Sequence, residues 1–149
     1  MLTQILIALV PMLLRCEPTA PVAARAHLAA EAVQRSAARV CAPADREACA
    51  RIGFVWAAYE SGWHASPPGY NDDGKACGVL QVHLSADRCK AARASLDKGF
   101  DEGLTLMVSL RAKCGSWAAG LTAYSMTGEC PKGWTLPLVA RRMKLAGVK

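Results

Sequence analysis

The sequence lacks the patterns by which several large classes of protein are recognised. Its 149 residues contain no Gly-X-Y repeat, no heptad array and no longer repeat, which excludes collagen, coiled coils and solenoid proteins. Charged residues make up only 20% of the chain, whereas 52% of the residues are hydrophobic. This balance excludes intrinsic disorder as the overall state. At roughly 100–200 residues per domain, the length predicts a single domain over residues 1–149.

No hydrophobic run is long enough to cross a bilayer as a helix. The longest run, LTQILIALVPMLL at residues 2–14, has 13 residues, whereas a helical span needs about 20. The run matches the length of a signal-peptide core, but no basic residue precedes it and Pro11 interrupts it. We therefore favour an apolar first helix within residues 1–26 that packs in the domain, with an export segment as the alternative and no stable membrane span.

C-x-x-C pairs are absent, although the chain has seven cysteines. The histidines lie far from any thiol pair with zinc-finger spacing, so we expect no structural metal and no cofactor. Cysteines that are neighbours in the sequence suggest three disulfides, although many other connectivities and buried free thiols remain open. Disulfides would place the protein in a periplasm or outside the cell. The suggested pairs are Cys41–Cys49, Cys77–Cys89 and Cys114–Cys130, with Cys16 left over.

Acidic residues are absent from residue 130 onward, and the formal net charge of the chain is +6. A basic terminal segment favours attraction to an anionic polymer, or serves only solubility. Nucleic-acid binding would interleave aromatic and basic residues, and only Trp134 has a basic neighbour close by, so we do not expect nucleic acid as a partner. The basic residues of this segment are Lys132, Arg141, Arg142, Lys144 and Lys149.

Helical patterns dominate the chain beyond residue 26. Apolar periodicity, capping residues and terminating glycines predict most of the elements as helices. Residues 61–77 form a polar loop rich in glycine and proline, and residues 79–83 form at most a short extended piece. The expected fold class is mainly α, formally α+β, with a helical body and a small irregular β/loop lobe that flanks a cleft. The predicted helices cover residues 27–40, 45–60, 85–95, 100–114, 116–124 and 135–147.

Glu60 closes the helix predicted for residues 45–60, with Trp56 one turn before it. A carboxylate at a helix C-terminus faces the negative end of the helix dipole, and an apolar aromatic flank also disfavours its ionised form. A carboxyl group that keeps its proton suits a general acid near neutral pH. By position alone, a glutamate that turns to solvent is the simpler interpretation.

Three motifs follow one another in a recognisable order. Glu60-Ser61 ends a helix, Cys77-Gly78-Val79-Leu80-Gln81-Val82 follows a glycine-rich loop, and Ala123-Tyr124-Ser125-Met126-Thr127-Gly128 comes later. This order resembles the lysozyme-like superfamily, especially soluble lytic transglycosylases and goose-type lysozymes, which have Asn where Ser125 stands. The resemblance covers residues 45–128 as a catalytic core and leaves residues 129–149 as a basic C-terminal helix.

The resemblance implies a lysozyme-like fold that cleaves the β-1,4 bond between N-acetylmuramic acid and N-acetylglucosamine in peptidoglycan glycan strands. It makes Glu60 the catalytic acid/base, Gln81 a residue that lines the glycan cleft and Tyr124 a neighbour of the acid. Ser61 would help to position this substrate-binding site. If the resemblance is set aside, Gln81 is equally well explained as a loop residue whose side chain forms hydrogen bonds with its own backbone, and Tyr124 is explained as an ordinary core residue. Trp63 suits either stacking on a sugar or anchoring the loop.

A second carboxylate would decide the reaction type. Inverting hydrolysis needs two carboxyl groups about 6.5–9.5 Å apart, and retention needs them about 5–5.5 Å apart. Asp72 and Asp73 are the candidates, and Asp73 is the better match because goose-type lysozymes are similar in keeping an aspartate in this loop. The turn composition of residues 71–74 is an equally available structural explanation. Lytic transglycosylases need no second carboxylate, so both reactions remain open.

Two other classes of function compete with this hypothesis. Cys77 and His83 suggest a cysteine amidase or peptidase that acts on cell-wall peptides, although Cys77 has an obvious disulfide partner. A basic module cross-linked by disulfides could bind an anionic polymer without cleaving it, and Glu60 would then be dispensable for its function. For the favoured hypothesis, so small a chain fits a monomeric phage endolysin, a virion-borne enzyme or a bacterial wall remodeller.

Overall fold

A computed structural model describes residues 1–66, 75–126 and 128–149. The described residues form eight α-helices, one 3₁₀ turn and a two-stranded antiparallel sheet, which confirms the predicted mainly-α class. The helices are α1 (Leu2–Ala8), α2 (Val10–Leu14), α3 (Ala20–Val40), α4 (Arg46–Ser61), α5 (Ala86–Ala94), α6 (Leu96–Cys114), α7 (Trp117–Tyr124) and α8 (Pro137–Ala146). The 3₁₀ turn is Pro43–Asp45, and the strands are β1 (Ala76–Cys77) and β2 (Val82–His83).

Helix α4 is the central element of the fold. It packs against α1, α3, α6 and α8, and its residues Ile52, Phe54 and Trp56 have no exposed surface. A Cβ atom at Gly53 would lie 2.8 Å from Val33 Cγ2, so only glycine allows α3 to approach this closely. Burying each of these large apolar side chains contributes roughly 1.5–3 kcal/mol to the stability of the fold. The final turn of α4, which carries Glu60, is therefore held on a rigid support.

The apolar run near the start of the chain bends into two short helices. Leu6 of α1 and Val10 of α2 are buried in the main core, and α1 contacts α3 and α4. Pro11 lies in the first turn of α2, where a missing N–H breaks no helical hydrogen bond. None of the helices in the described ranges is long and apolar enough to span a membrane.

Some helix boundaries differ from the predictions because of proline and capping residues. Helix α3 begins at Ala20, earlier than expected, because Pro21 is tolerated in its first turn. Helix α6 also begins early, where Ser95 Oγ accepts a hydrogen bond from Lys98 N. The last helix, predicted from residue 135, begins at Pro137 instead, because Leu136 and not Thr135 holds the N-cap position of α8.

Three disulfides tie the helices together, and their pairing is the one suggested by the sequence. Cys41–Cys49 joins the end of α3 to α4, Cys77–Cys89 joins β1 to α5, and Cys114–Cys130 joins the end of α6 to the segment before α8. Cys16 remains a free, exposed thiol. Such a set of disulfides is compatible with an oxidising compartment.

An ionic cluster fastens α3 to α6. Arg35 donates to both carboxylate oxygens of Asp97, with Nε–Oδ1 and Nη2–Oδ2 distances of 3.0 and 2.8 Å. Arg39 donates to Asp97 and Asp101, with the 2.8 Å contact to Asp101. Hydrogen bonds from Arg35, followed by those from Arg39, hold the pKa of Asp97 below its usual value.

The hairpin of β1 and β2 forms the small lobe beside the helical body. Ala76 pairs with His83 and Cys77 with Val82, so residues 78–81 make the connecting turn. Gly78 has φ +71°, and a Cβ there would lie 3.1 Å from the Ala92 carbonyl oxygen. Glycine is therefore required both by the backbone conformation and by the close approach of α5. The turn carries Leu80 and Gln81 towards the end of α4.

Candidate active site

A cleft of about 530 Å³ lies where the end of α4, the β1–β2 hairpin, α6, α7 and α8 meet. Its walls are of mixed character, with polar and apolar surface in nearly equal parts. Three of the predicted site residues line it together, namely Glu60, Gln81 and Tyr124. The other lining residues are Leu80, Val82, His83, Leu106, Leu110, Ala123, Ser125, Met126, Gly128, Leu138 and Arg142.

Glu60 reaches the cleft because α4 ends abruptly just after it. Gly62 adopts the left-handed conformation at φ +57°, its N–H donates to Ala58 O, and Trp63 N–H donates to Ala57 O. These bonds form a Schellman-type termination, which satisfies carbonyls of the last turn. The Glu60 side chain is 29% exposed, so a ligand in the cleft can reach its carboxyl group.

Arg142 of α8 contacts Glu60 directly, and the sequence analysis did not single it out. Its Nη1 donates to Glu60 Oε1 at 2.6 Å. The helical periodicity of α8 does indicate this position. Val139, Met143 and Ala146 form the buried stripe of the helix, and Arg142 lies three residues after Val139, beside that stripe. The prediction that the surroundings favour the protonated carboxyl considered only the helix dipole and the aromatic flank. The guanidinium adds an ion pair that neither of these effects includes.

Gln81 lines the cleft wall, with its side chain folded back onto its own turn. Its backbone has φ +51°, a conformation that non-glycine residues rarely adopt. The side-chain Nε2 donates to Gly78 O at 2.7 Å, as expected for a residue that satisfies its own loop. The side-chain oxygen Oε1 is buried and has no hydrogen-bond partner within the described part of the chain. Such an orphaned buried acceptor costs about 1–3 kcal/mol.

Tyr124 joins α7 to the hairpin. Its hydroxyl donates to Leu80 O at 2.6 Å. Burial of the phenol, followed by the negative charge of Glu60, raises the pKa of Tyr124 above its ordinary value, while Arg142 acts in the opposite direction. The phenol is therefore neutral at physiological pH and acts as a hydrogen-bond donor that fixes the turn beside Glu60.

Ser61 and Trp63 lie behind the cleft wall, in keeping with the positioning role predicted for Ser61 and the anchoring alternative for Trp63. The Ser61 hydroxyl is buried and points to Val79 O at 2.8 Å and Ala57 O at 3.1 Å, so it links α4 to the hairpin. Trp63 is only 2% exposed, and its Nε1 donates to Phe54 O at 3.1 Å. The protein covers its ring, which favours the anchoring of the loop over stacking on a sugar. Both residues anchor the site from behind.

Of the remaining candidates, His83 lines the cleft, and the others fall outside it or outside the described ranges. Asp72 and Asp73 belong to residues 67–74, which lie outside the described residues. Cys77 is bonded to Cys89 and is therefore unavailable as a nucleophile, which overturns the amidase alternative. Burial and the charge of Arg25 lower the pKa of His64. Among the residues that the structure describes, no group of His, Cys, Asp and Glu could hold a metal ion.

The residues that line the cleft bring together groups that can take part in acid–base chemistry. One carboxyl group stands in a cleft of mixed polarity, beside the cation of Arg142 and the turn that carries Gln81. A carboxyl group in this position can give a proton to, or take one from, an oxygen atom of a bound ligand.

Comparison with known proteins found no match of any kind. No family model matches the sequence, and neither a curated protein nor a solved structure does.

Proposed function

We propose that the protein cleaves the β-1,4 glycosidic bond between N-acetylmuramic acid and N-acetylglucosamine in peptidoglycan. The observation that supports this function most is the meeting of Glu60, Gln81 and Tyr124 in one cleft. These residues come from the three sequence motifs that resemble soluble lytic transglycosylases and goose-type lysozymes. Nothing in their sequence separation alone requires them to share a site.

Glu60 protonates the glycosidic oxygen that leaves, as the general acid of the proposed reaction. Gln81 forms part of the cleft wall along which the glycan lies. Tyr124 takes no proton, and instead keeps the Leu80–Gln81 turn at a fixed distance from the acid through its hydrogen bond to Leu80 O. Ser61 supports the same turn from the other side through Val79 O.

Two reactions start from this protonation step. In the transglycosylase route the Glu60 carboxylate takes the proton of the muramoyl 6-hydroxyl, whose oxygen then closes on C1 to give a 1,6-anhydro sugar. This route needs one carboxyl group, and Glu60 is the sole carboxylate among the described residues that line the cleft. The lysozyme route adds water at C1 and would use Asp73 as the second carboxylate.

Digestion of purified peptidoglycan, with mass spectrometry of the products, tests the proposal. We expect soluble muropeptides from the wild type and a loss of at least about 100-fold in rate for Glu60→Gln, because general-acid catalysis contributes roughly 10²–10⁴-fold. Glu129→Gln removes the same charge at an exposed position outside the cleft lining and serves as the matched control. Anhydro ends indicate the transglycosylase and reducing ends the hydrolase, which Asp73→Asn should then inactivate.

Wild-type activity in Glu60→Gln would disprove the catalytic assignment. A protein that sediments with peptidoglycan but releases no fragments would instead support the non-catalytic binding module. For the enzyme, the basic segment after Cys130 attracts the chain to the anionic wall. We propose that it acts as a monomer in the periplasm or outside the cell, as a phage endolysin, a virion-borne enzyme or a bacterial wall remodeller.

A further inference from the structure

A second groove lies on the opposite side of α8 from the cleft. It has a volume of about 530 Å³ and runs beside the start of α7 and the second half of α8. From α8, Leu138 and Arg142 line the cleft whereas Ala140 and Lys144 line the groove, and no residue in the described part of the chain lines both. The helix therefore separates the groove from the candidate active site, so the groove is available to a different ligand.

The wall of the groove is mostly apolar, and the two charged side chains among its described lining residues are basic. A hydrocarbon chain loses no hydrogen bonds against such a wall, whereas a peptide backbone or a sugar would leave polar groups without partners. The lysines suit an anion at one end of that hydrocarbon chain, because each keeps its charge in water while its stem covers apolar surface. The apolar lining residues are Ala118, Ala140, Met143 and Val148, and the basic ones are Lys144 and Lys149.

The positive charges around the groove are not neutralised by acidic partners. Arg142 pairs with Glu60, but none of the other four basic residues after Cys130 forms an ion pair within the described ranges. No acidic residue follows Cys130 in the sequence. Unpaired cations that are grouped on one part of a surface attract an anionic partner. The four residues are Lys132, Arg141, Lys144 and Lys149.

Trp134 is the exposed tryptophan of the chain. Its side chain is 47% exposed, whereas Trp56, Trp63 and Trp117 are at most 6% exposed. It directly precedes Thr135, which lines the groove. Tryptophan is enriched where proteins meet the boundary between lipid headgroups and acyl chains, because its ring is apolar and its N–H is polar. An exposed tryptophan among unpaired lysines and arginines is therefore typical of a surface that faces anionic lipid.

We propose that the groove binds an anionic phospholipid at a membrane surface, with the phosphate at Lys144 and Lys149 and an acyl chain along the apolar wall. A second copy of the protein fits less well, because it would bring the same positive segment against this one. A polyanion of the cell wall would satisfy the lysines but leave the apolar wall uncovered. The inference goes beyond the proposed function and does not depend on cleavage of peptidoglycan.

Cosedimentation with lipid vesicles tests the charged part of the proposal. We expect binding to vesicles of phosphatidylglycerol mixed with phosphatidylcholine and none to phosphatidylcholine alone. The double variant Lys144→Gln, Lys149→Gln should bind roughly 30-fold less tightly, because each lysine near an anionic surface contributes a factor of about five. The matched control Lys90→Gln, Lys98→Gln removes the same two charges at exposed positions outside the groove and should bind far more tightly than the groove variant.

Fluorescence and NMR locate the lipid. Vesicle binding should shift the emission of Trp134 to shorter wavelength, bromine on the acyl chains should quench it, and Trp134→Phe should remove both effects. Monomeric dihexanoyl phosphatidylglycerol should shift the methyl NMR signals of Met143 and Val148, which line the groove. Glycerol phosphate is an anion without acyl chains and should leave these signals in place. Circular dichroism verifies that each variant is folded, and the single lysine variants serve if the double one is not.

Several results would overturn the proposal. Equal binding to neutral and anionic vesicles would remove the role of the lysines, and equal losses in the two double variants would show that net charge decides instead of the groove. Vesicle binding without the change in Trp134 emission, or equal methyl shifts with glycerol phosphate, would exclude the acyl chain from the groove. Binding to teichoic acid, or association of two copies in ultracentrifugation, without vesicle binding would assign the surface to that partner. None of these measurements uses peptidoglycan, so they are decided separately from the proposed function.

Discussion

Gly103 on α6 should be intolerant of even one added methyl group, because it faces Leu80 of the cleft turn. A Cβ atom at this position would lie 2.7 Å from Leu80 Cβ and 3.1 Å from Leu80 Cγ, and real Cβ contacts below 3.0 Å are essentially never seen. The Cβ atom of Leu80 is fixed by its own backbone, so a change of rotamer cannot relieve the contact. Gly103→Ala must therefore displace the turn itself.

The expected magnitude follows from two opposing effects. Forcing a methyl group into a packed core costs about 1–3 kcal/mol, whereas replacing a helical glycine by alanine gains about 1 kcal/mol where there is room. We expect a net loss in the free energy of unfolding of about 1 kcal/mol. For a chain of this size that loss lowers Tm by about 2–4 °C.

The same substitution should weaken the site more than the fold. Leu80 O accepts the hydrogen bond from Tyr124, and Gln81 follows Leu80 in the turn, so both groups move when Leu80 moves. Thermal unfolding followed by circular dichroism gives the stability, and muropeptide release per folded molecule gives the activity. Ser109→Ala, at an exposed position of the same helix, is the matched control and should retain full cleavage.

A Gly103→Ala protein stabilised by about 1 kcal/mol would show that the contact with Leu80 is not rigid. That result would refute the packing argument whether or not the protein cleaves peptidoglycan. Reduced stability with unaltered cleavage in an active protein would instead refute the inference that the turn carries functional groups.

Two further predictions concern stability and covalent structure. Asp97→Asn should lower the free energy of unfolding at pH 7 by about 1 kcal/mol, as expected for partly exposed ion pairs. Arg35 and Arg39 lower the pKa of Asp97, so this contribution to stability is present above the pKa of the unfolded chain, near 4, and is lost as the pH falls further. The stabilities of the two proteins, measured by urea titration, should therefore converge near pH 2. A difference in stability that persists at pH 2 would contradict the reasoning. Thiol titration in denaturant should count one group, Cys16, before reduction and all seven cysteines after it, and a count near seven before reduction would contradict the disulfides.

The helical class and most helix ends could be predicted because their signals are local. Gly62 ends α4 in the left-handed conformation, and Ser116 Oγ caps α7 by accepting from Ala119 N, both as the sequence indicates. Pairing of successive cysteines also proved sufficient for the three disulfides. Each of these signals acts over a short stretch of chain, so neighbouring residues suffice to recognise it.

Burial along α4 was predicted less well. The apolar stripe of residues 52, 55, 56 and 59 indicates one buried face, yet Phe54 lies outside the stripe and is fully buried, while Tyr59 is partly exposed. The reason is that α4 is surrounded by other helices, so periodicity no longer separates an inner face from an outer one.

The sequence by itself determined that a carboxyl group ends a buried helix, and it placed Gln81 and Tyr124 in motifs later in the chain. Only the tertiary structure decided that these side chains meet, that Trp63 turns inward and that Arg142 pairs with Glu60 across 82 positions. The physical reason is the range of the forces involved. Capping and periodicity act within a few residues, whereas an ion pair between α4 and α8 exists only because both helices bury their apolar faces in one core.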